Sequence, residues 1–403
     1  MKNAAPVFDI EKARSRMEQA GIDLILASSK VNTGYLSGLY THVWGWDHAI
    51  LHALEKEYDG WDYLIFVGLP QNSSQSQFMV EYHHRTEALR DMTWIQDIKG
   101  YSRNGYQPPP NVKSLFLEPK KAISQIDCVV EAIEERGLSD STIGIEENRL
   151  PLTYFNALQK RLQHAKFVDV FDLLFELRSV KTPEEIRRLR RAYKINEQVY
   201  REIFENFQVG VTPYHIFQRT LETVYREGAA FVFNHVFFEG QEAAYNVPAD
   251  QPILPGQSAF YDFGLAYEGY KSDTARTIVN GTASEDLKHV YRAVLETYHV
   301  VQEALKPGVR ASEVFRLGSE YLESKQLCPS ITCLGHGIGL NQHEMPFLTP
   351  HDHTVIEPGM VITIEPNAEV PGLTPCFVED AGVITIDGWE NFTALPTTLQ
   401  ELI

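Results

Sequence analysis

Four carboxylates and one histidine in the second half of this chain have the types and spacing of a cation cage. The segment 260–277 contains Asp262 and Asp273 on two apparent strands joined by a turn near Glu268 and Gly269. A hairpin centred between Tyr267 and Glu268 sets Asp262 opposite Asp273 on one face, with Cβ atoms about 4.5–5.5 Å apart. Two carboxylates at that distance repel unless a proton or a cation lies between them. The device recurs downstream. Glu365 ends the strand-like segment 361–366, Glu379 lies in the segment 376–380, and Pro371-Gly372 supplies a turn midway between them. A single acid in a strand is ordinarily just an exposed residue; four at paired hairpin positions point to a site built for a pair of cations. Between the hairpins, His336 is flanked by Gly335 and Gly337, which let backbone approach a site closely. Oxygen-rich coordination with one imidazole suits two divalent ions of the Mn²⁺, Co²⁺ or Fe²⁺ kind, with Zn²⁺ admissible.

The elements that must hold these groups follow from periodicity and punctuation. Helical patterns span 183–206 and 213–227, then a strand-rich stretch runs to Val279. Two more helices, 285–305 and 311–325, precede a second strand-rich stretch ending near Ile386. Each half therefore reads helix, helix, hairpin, a repeat of pattern without residue identity. At the entrance to this region Thr182 is an N-cap, Pro183 takes the first helical position and Glu185 completes a capping box. The domain boundary falls there, giving domains 1–177 and 178–403. The first domain alternates strands and helices: a helix at 10–20 stopped by Gly21, strand candidates at 23–27, 63–67, 114–117 and 142–145, and an amphipathic helix at 122–136.

The order Asp, Asp, His, Glu, Glu and the motifs DFG-x7-SDTART, GHGIGL-x2-HExP, TIEP and VED resemble the pita-bread metallopeptidases, among them Xaa-Pro dipeptidase (prolidase), aminopeptidase P and methionine aminopeptidase. The α/β first domain and the linker RSVKTPEEI resemble the proline-specific and creatinase-like branch. The resemblance is close over 178–385 and looser before. It implies an α+β fold, with a pita-bread catalytic domain preceded by an α/β creatinase-like N-terminal domain, and a metal-dependent hydrolase that cleaves an amide bond. It further implies that Asp262 holds one metal, His336 and Glu365 the other, and Asp273 and Glu379 bridge them. A bridging water acidified by two cations is then the nucleophile, Glu365 the proton acceptor and shuttle, and His343 the donor to the substrate carbonyl or oxyanion.

Three pocket positions depart from that pattern. The region 236–261, where proline-specific relatives place a histidine, has none; Tyr245 and Asn246 lie nearest, and His235 is a candidate stand-in, though it also suits a half-buried strand position. Thr332 stands where aminopeptidase P has a histidine, and Phe377 stands where relatives place an arginine. His235, Tyr245 and Phe377 are therefore the candidate substrate-binding residues. Changed polar groups in a pocket change specificity, so two rivals stay open. One is a small-metabolite hydrolase or lyase of the same fold, acting on a compound such as ectoine or dimethylsulfoniopropionate. The other is a non-catalytic binding protein, which the intact ligand set opposes.

Composition narrows the partners. The formal net charge of −18 disfavours nucleic acid and anionic membranes. No apolar run is long enough to span a membrane, the N-terminal segment lacks a secretion signal's apolar core, and four scattered cysteines fit reduced thiols in a cytoplasmic protein. A homodimer is implied by the resemblance alone. The aromatic stretch 42–48, with Trp44 and Trp46, either lines a neighbouring subunit's site or packs in a core. His83-His84 and His351-Asp352-His353 read as loop or strand edge, and the run Arg187, Arg188, Arg190, Arg191 as a solvated helix face.

Overall fold

A computed structural model describes residues 5–39, 65–102, 124–238, 244–245 and 250–402 of the chain. The Trp44–Trp46 stretch, the strand expected at 114–117, Asn246 and the start of the strand expected at 63–67 lie outside the described residues. The chain divides into two compact units, Met1–Arg178 and Ser179–Ile403.

The first unit is built on a mixed sheet whose described strands run Asp97–Tyr101, Phe78–Tyr82, Phe66–Pro70, Leu24–Ala27, Thr142–Ile145, Lys166–Asp169 in spatial order. Leu24–Ala27 sits centrally, antiparallel to Phe66–Pro70 and parallel to Thr142–Ile145. The first helix, Ile10–Ala20, ends where Gly21 takes φ 65°, a left-handed cap that only glycine adopts without strain. The helix expected at 122–136 is described over Gln125–Glu134, with Cys128, Val129, Ala132 and Ile133 turned into the core.

In the second unit the four helices run Pro183–Asn206, Pro213–Arg226, Glu285–Ala304 and Ala311–Ser324, each starting at its expected residue. Local chemistry explains that agreement. Thr182 accepts from Glu185 N while Glu185 closes the capping box, and Thr212 and Ser284 cap the next two helices through their side-chain oxygens. Two sheets carry the rest. One has the described strands Gln400–Leu402, Thr274–Asn280, Ser258–Tyr267, Ala230–Phe238 and Ala244–Tyr245 side by side, with the short strand Tyr270–Lys271 also on Ser258–Tyr267. The other orders Glu344–Phe347, His336–Gly337, Val361–Ile364, Asp380–Thr385 and Gly388–Asn391. Separate apolar cores lie under each half, one centred on the first helix pair and one on the second.

The register of the first hairpin differs from expectation. Tyr267 pairs with Tyr270, so Glu268 and Gly269 form a two-residue turn, and Asp262 faces Ala275 rather than Asp273. Both turn residues have positive φ, 46° and 86°, as the tight hairpin turn matched to strand twist requires. The offset is two residues. Because side chains alternate with period two, Asp273 still lies on the face of Asp262, as a diagonal neighbour. In the second hairpin Ile364 pairs with Asp380 and Asn367 with Phe377, which sets Glu365 directly opposite Glu379.

The charged run at the start of the first long helix is only partly a solvated face. Arg187 is exposed and Arg190 partly so, but Arg188 is buried and pairs with Glu184 and Glu268. His83 opens a single helical turn, His83–Arg85. His353 exchanges a hydrogen bond with Ser312 Oγ, and the Asp352 carboxylate accepts from Phe347 N and Thr354 N, so this segment is tied up as a loop.

Candidate metal centre

The hairpin that carries the aspartates is held from behind by one helix face. Tyr193, Asn196 and Tyr200 recur at helical spacing on Pro183–Asn206. Tyr193 Oη accepts from Asp273 N at 3.1 Å, Asn196 Nδ2 donates to Phe263 O at 3.0 Å, and Tyr200 Oη donates to Tyr261 O at 3.0 Å and to Thr274 O. The backbone around both aspartates is thereby fixed before any side chain is placed.

His336 arrives from the other sheet. Its N donates to Thr363 Oγ1 at 3.1 Å, and its Nδ1 lies 3.0 Å from Gly337 O. A neutral ring that donates through Nδ1 leaves the Nε2 lone pair free for a cation. The flanking glycines are sterically required. A Cβ on Gly335, at φ 150°, would meet Thr363 O at 2.0 Å, and one on Gly337 would meet Met345 O at 2.3 Å.

The chain brings the five expected groups together. Asp262, Asp273 and Glu379 form one cluster, and His336, Glu365 and Glu379 another, each with one ligand atom per residue within 4.8 Å of the others. His336 Nε2 lies 3.6 Å from Asp273 Oδ2, 3.8 Å from Glu379 Oε1 and 3.9 Å from Glu365 Oε2. Glu379 belongs to both clusters. A third group of the same kind joins Asp273, His336 and His343.

The electrostatics test whether these residues fit a cation. Among the described residues no lysine or arginine makes an ion pair with any of the four carboxylates. Asp262 Oδ1, Asp273 Oδ1 and both Glu379 oxygens are buried with no hydrogen-bond partner. Buried acceptors are almost always satisfied, so these orphaned oxygens fit a site shaped for positive charge. Burial, then mutual repulsion, pushes Asp262, Asp273 and Glu379 well above the carboxylate range and Glu365 up to about 8. Burial pushes His336 down to about 3, so its ring is neutral and ready to ligate at physiological pH.

The cage is open on one side. Asp273, Glu379 and His336 side chains are 5%, 1% and 3% exposed, while Asp262, Glu365 and His235 reach 15%, 16% and 32%. His343, exposed, packs edge-on to His336 with ring centroids 4.4 Å apart. Lys271 and His235 help to hold His343 below its ordinary value, after burial.

Of the candidate substrate residues, His235 is a strand residue paired with Asp262, its Nδ1 3.5 Å from Asp262 Oδ2. It is thus both a partly buried strand residue and a neighbour of the cage. Tyr245 pairs by its backbone with His235. Phe377 is buried against Phe260, ring centroids 4.4 Å apart, with Ala275 and Phe237 completing the cluster. These four residues lie two positions along their strands from Glu379, Asp262, Asp273 and His235. An aromatic layer therefore sits directly beside the ligand layer on the same face.

Sequence reasoning missed three buried polar contacts around the cage. Lys181 pairs with Glu344 at 3.2 Å beside His343, Tyr270 Oη donates to the capping-box Glu185 at 3.0 Å, and Arg276 pairs with Asp380 at 2.7 Å. The signal available was adjacency: Glu344 follows His343, and Asp380 follows Glu379.

Residues 187–386 match metallopeptidase family M24, and residues 10–180 match the Creatinase/Prolidase N-terminal domain. The Xaa-Pro dipeptidase of Pyrococcus horikoshii is 30% identical over 305 residues, 74% of this chain and 83% of that protein. The Xaa-Pro dipeptidase of Lactobacillus delbrueckii subsp. lactis is 28% identical over 98% of this chain and 99% of its own. The solved Xaa-Pro dipeptidase from Bacillus anthracis superposes with a TM-score of 0.78 at 25% identity, covering 98% of this chain and 99% of that one.

Proposed function

The chain belongs to metallopeptidase family M24, and we propose that it hydrolyses the amide bond of Xaa-Pro peptides, using two divalent cations, Mn²⁺ foremost, held by Asp262, Asp273, His336, Glu365 and Glu379. The observation that carries this reading is the pair of ligand clusters sharing Glu379, with orphaned carboxylate oxygens turned into both. Two cations there would supply Lewis-acid polarisation of a carbonyl and activation of water.

The chain's own residues have separable tasks. Asp262 would serve one cation, His336 and Glu365 the other, and Asp273 and Glu379 both. Glu365, on the open side of the cage, takes the proton released by water and delivers it to the leaving nitrogen. Burial and the neighbouring Asp273 carboxylate push Glu365 up to about 8, which supports a proton-carrying role. His343 points from the HExP loop at the rim and donates to the carbonyl oxygen as it becomes an oxyanion. His235, Tyr245 and Phe377 remain the candidate substrate-binding residues; with Phe377 in an aromatic layer, its part of the wall is apolar. A homodimer in the cytoplasm completes the reading, which gel filtration with light scattering tests for assembly.

Hydrolysis of Xaa-Pro dipeptides and Xaa-Pro-Xaa tripeptides with added Mn²⁺ tests the assignment. Cleavage of either series before proline-free controls supports it, and the preferred length separates dipeptidase from aminopeptidase. Bound Mn²⁺ without cleavage would instead favour a small-metabolite substrate on the same centre. The role of His343 has its own test. His343→Ala is expected to lower kcat about 10²–10³-fold while Mn²⁺ content stays at the wild-type level, as loss of one oxyanion donor does. A variant that loses metal along with activity would make His343 a ligand instead.

A further inference from the structure

Arg276 is fully buried, and its partners lie on or beside both ligand hairpins. Its Nη1 donates to Ala275 O at 2.8 Å and to Glu379 O at 2.7 Å, its Nη2 to Asp380 Oδ1 at 2.7 Å, and its Nε to Pro396 O at 2.9 Å. Asp380 is fully buried too. Its Oδ1 also accepts from Thr393 Oγ1 at 2.8 Å and its Oδ2 from Tyr298 Oη at 3.1 Å. Alongside, Glu379 N donates to Ala275 O at 3.0 Å, and Arg276 forms an isolated bridge with Val378.

The location gives this network its meaning. Asp262 and Asp273 lie on one hairpin, while Glu365, Glu379 and His336 come from the other half of the pseudo-repeat. A bridging ligand set works only if the two hairpins keep one separation, and ligand placement within about 0.5 Å matters. Arg276 is three residues beyond Asp273, and Asp380 follows Glu379. The guanidinium is a planar fork that holds a carboxylate and three carbonyls in fixed directions at once; a lysine ammonium cannot reproduce that fork. Buried ion pairs contribute little net stability compared with apolar residues of similar volume, so stability alone is a poor reason for this one.

We propose that Arg276 and Asp380 are positioning residues whose pairing sets the separation of the Asp262–Asp273 and Glu365–Glu379 hairpins, and through it the number and affinity of the divalent cations bound. This rests on the ligand assignment above.

The test measures Mn²⁺ content after dialysis, Mn²⁺ affinity by calorimetry, and the rise in Tm that Mn²⁺ produces, in wild type and three full-length variants. R276K keeps the charge pair but loses the fork. R276M/D380L removes both charges without leaving one unpaired, and Y298F removes a single hydroxyl from Asp380. R276K and the double variant are expected to bind Mn²⁺ on the order of 10–100-fold more weakly, the usual effect of losing a group that orients a ligand, with a smaller Mn²⁺-induced Tm rise. Y298F is expected to show a smaller loss in the same direction. A purely structural pair would lower Tm with and without metal in parallel and leave the increment and affinity unchanged; that result, in Y298F and in whichever others fold, overturns the proposal. Wild-type protein that takes up no Mn²⁺ would remove the ligand assignment itself, whereas normal wild-type binding with unchanged variants removes only the positioning role.

Discussion

Replacing Asp273 with alanine is expected to lower kcat/KM on Xaa-Pro substrates on the order of a thousandfold or more, with loss of at least part of the bound Mn²⁺. Asp273 belongs to two of the three ligand groupings. Its Oδ2 is 3.6 Å from His336 Nε2, and its Oδ1 is one of the orphaned oxygens. Removing a bridging carboxylate weakens both cation positions together, and Lewis-acid stabilisation of several kcal/mol corresponds to about three decades in rate at ~1.4 kcal/mol per decade. The backbone should survive the change, because Asp273 N is held by Tyr193 Oη and Ser272 N by Leu265 O, neither of which involves the carboxylate. Steady-state kinetics beside metal analysis of the same preparation checks this. Residual activity above a tenth of wild type at full metal content would show that Asp273 is not a bridging ligand.

Mn²⁺ should raise Tm more at pH 8 than at pH 6.5, and the metal-free protein should be the less stable at the higher pH. The sign follows from which state binds more protons. In the unfolded chain Asp262, Asp273, Glu365 and Glu379 ionise near the ordinary carboxylate values, so above pH 6 they are charged. In the metal-free fold burial raises all four, Glu365 to about 8 and the other three well above their usual range. The native state therefore holds more protons across this window, and stability falls as pH rises, by ~1.4 kcal/mol per pH unit for each carboxyl still protonated. His336 opposes this only slightly: burial pushes it down to about 3, so it is neutral in the fold while the unfolded imidazole is about half protonated at pH 6.5, a contribution of well under ~1 kcal/mol across the window against four carboxyls. Cations need the carboxylates ionised, so they bind more tightly as pH rises, and their binding adds stability by mass action. Thermal melts with chelator and with Mn²⁺ at the two pH values measure both slopes. A metal-free Tm that climbs from pH 6.5 to 8 would show that these carboxylates are not held protonated by the fold.

The aromatic layer beside the ligands bears on specificity. Phe377 sets a buried ring against Phe260, and Ala275, opposite Asp262, keeps the layer shallow at that point. An apolar wall discriminates weakly among single methylenes or an added hydroxyl, whereas pockets built to hydrogen-bond their substrate discriminate strongly. A pocket so lined is expected to recognise its substrate chiefly through the cations and His343.

Much of the site was legible before folding was considered, for definite reasons. Thr182, Pro183 and Glu185 state a helix start in three residues, because the orphan amide groups of a first turn can be satisfied only by such side chains. Asp262, Asp273, Glu365 and Glu379 announce a shared face because strand side chains alternate with period two. That periodicity made the reading robust: the hairpin register expected from spacing was off by two residues, yet the face was unchanged. What spacing could not decide was pairing. Whether Asp262 opposes Asp273 or Ala275 depends on the positive φ values that Glu268 and Gly269 adopt together. That His235 lies beside Asp262 depends on a neighbouring strand's register, and that Arg276 grips Asp380 depends on two sheets meeting. Local sequence encodes periods, caps and turn candidates, since each is decided within a few residues. Partners brought together from distant segments are chosen by the burial of whole faces, and only the tertiary structure carries out that choice.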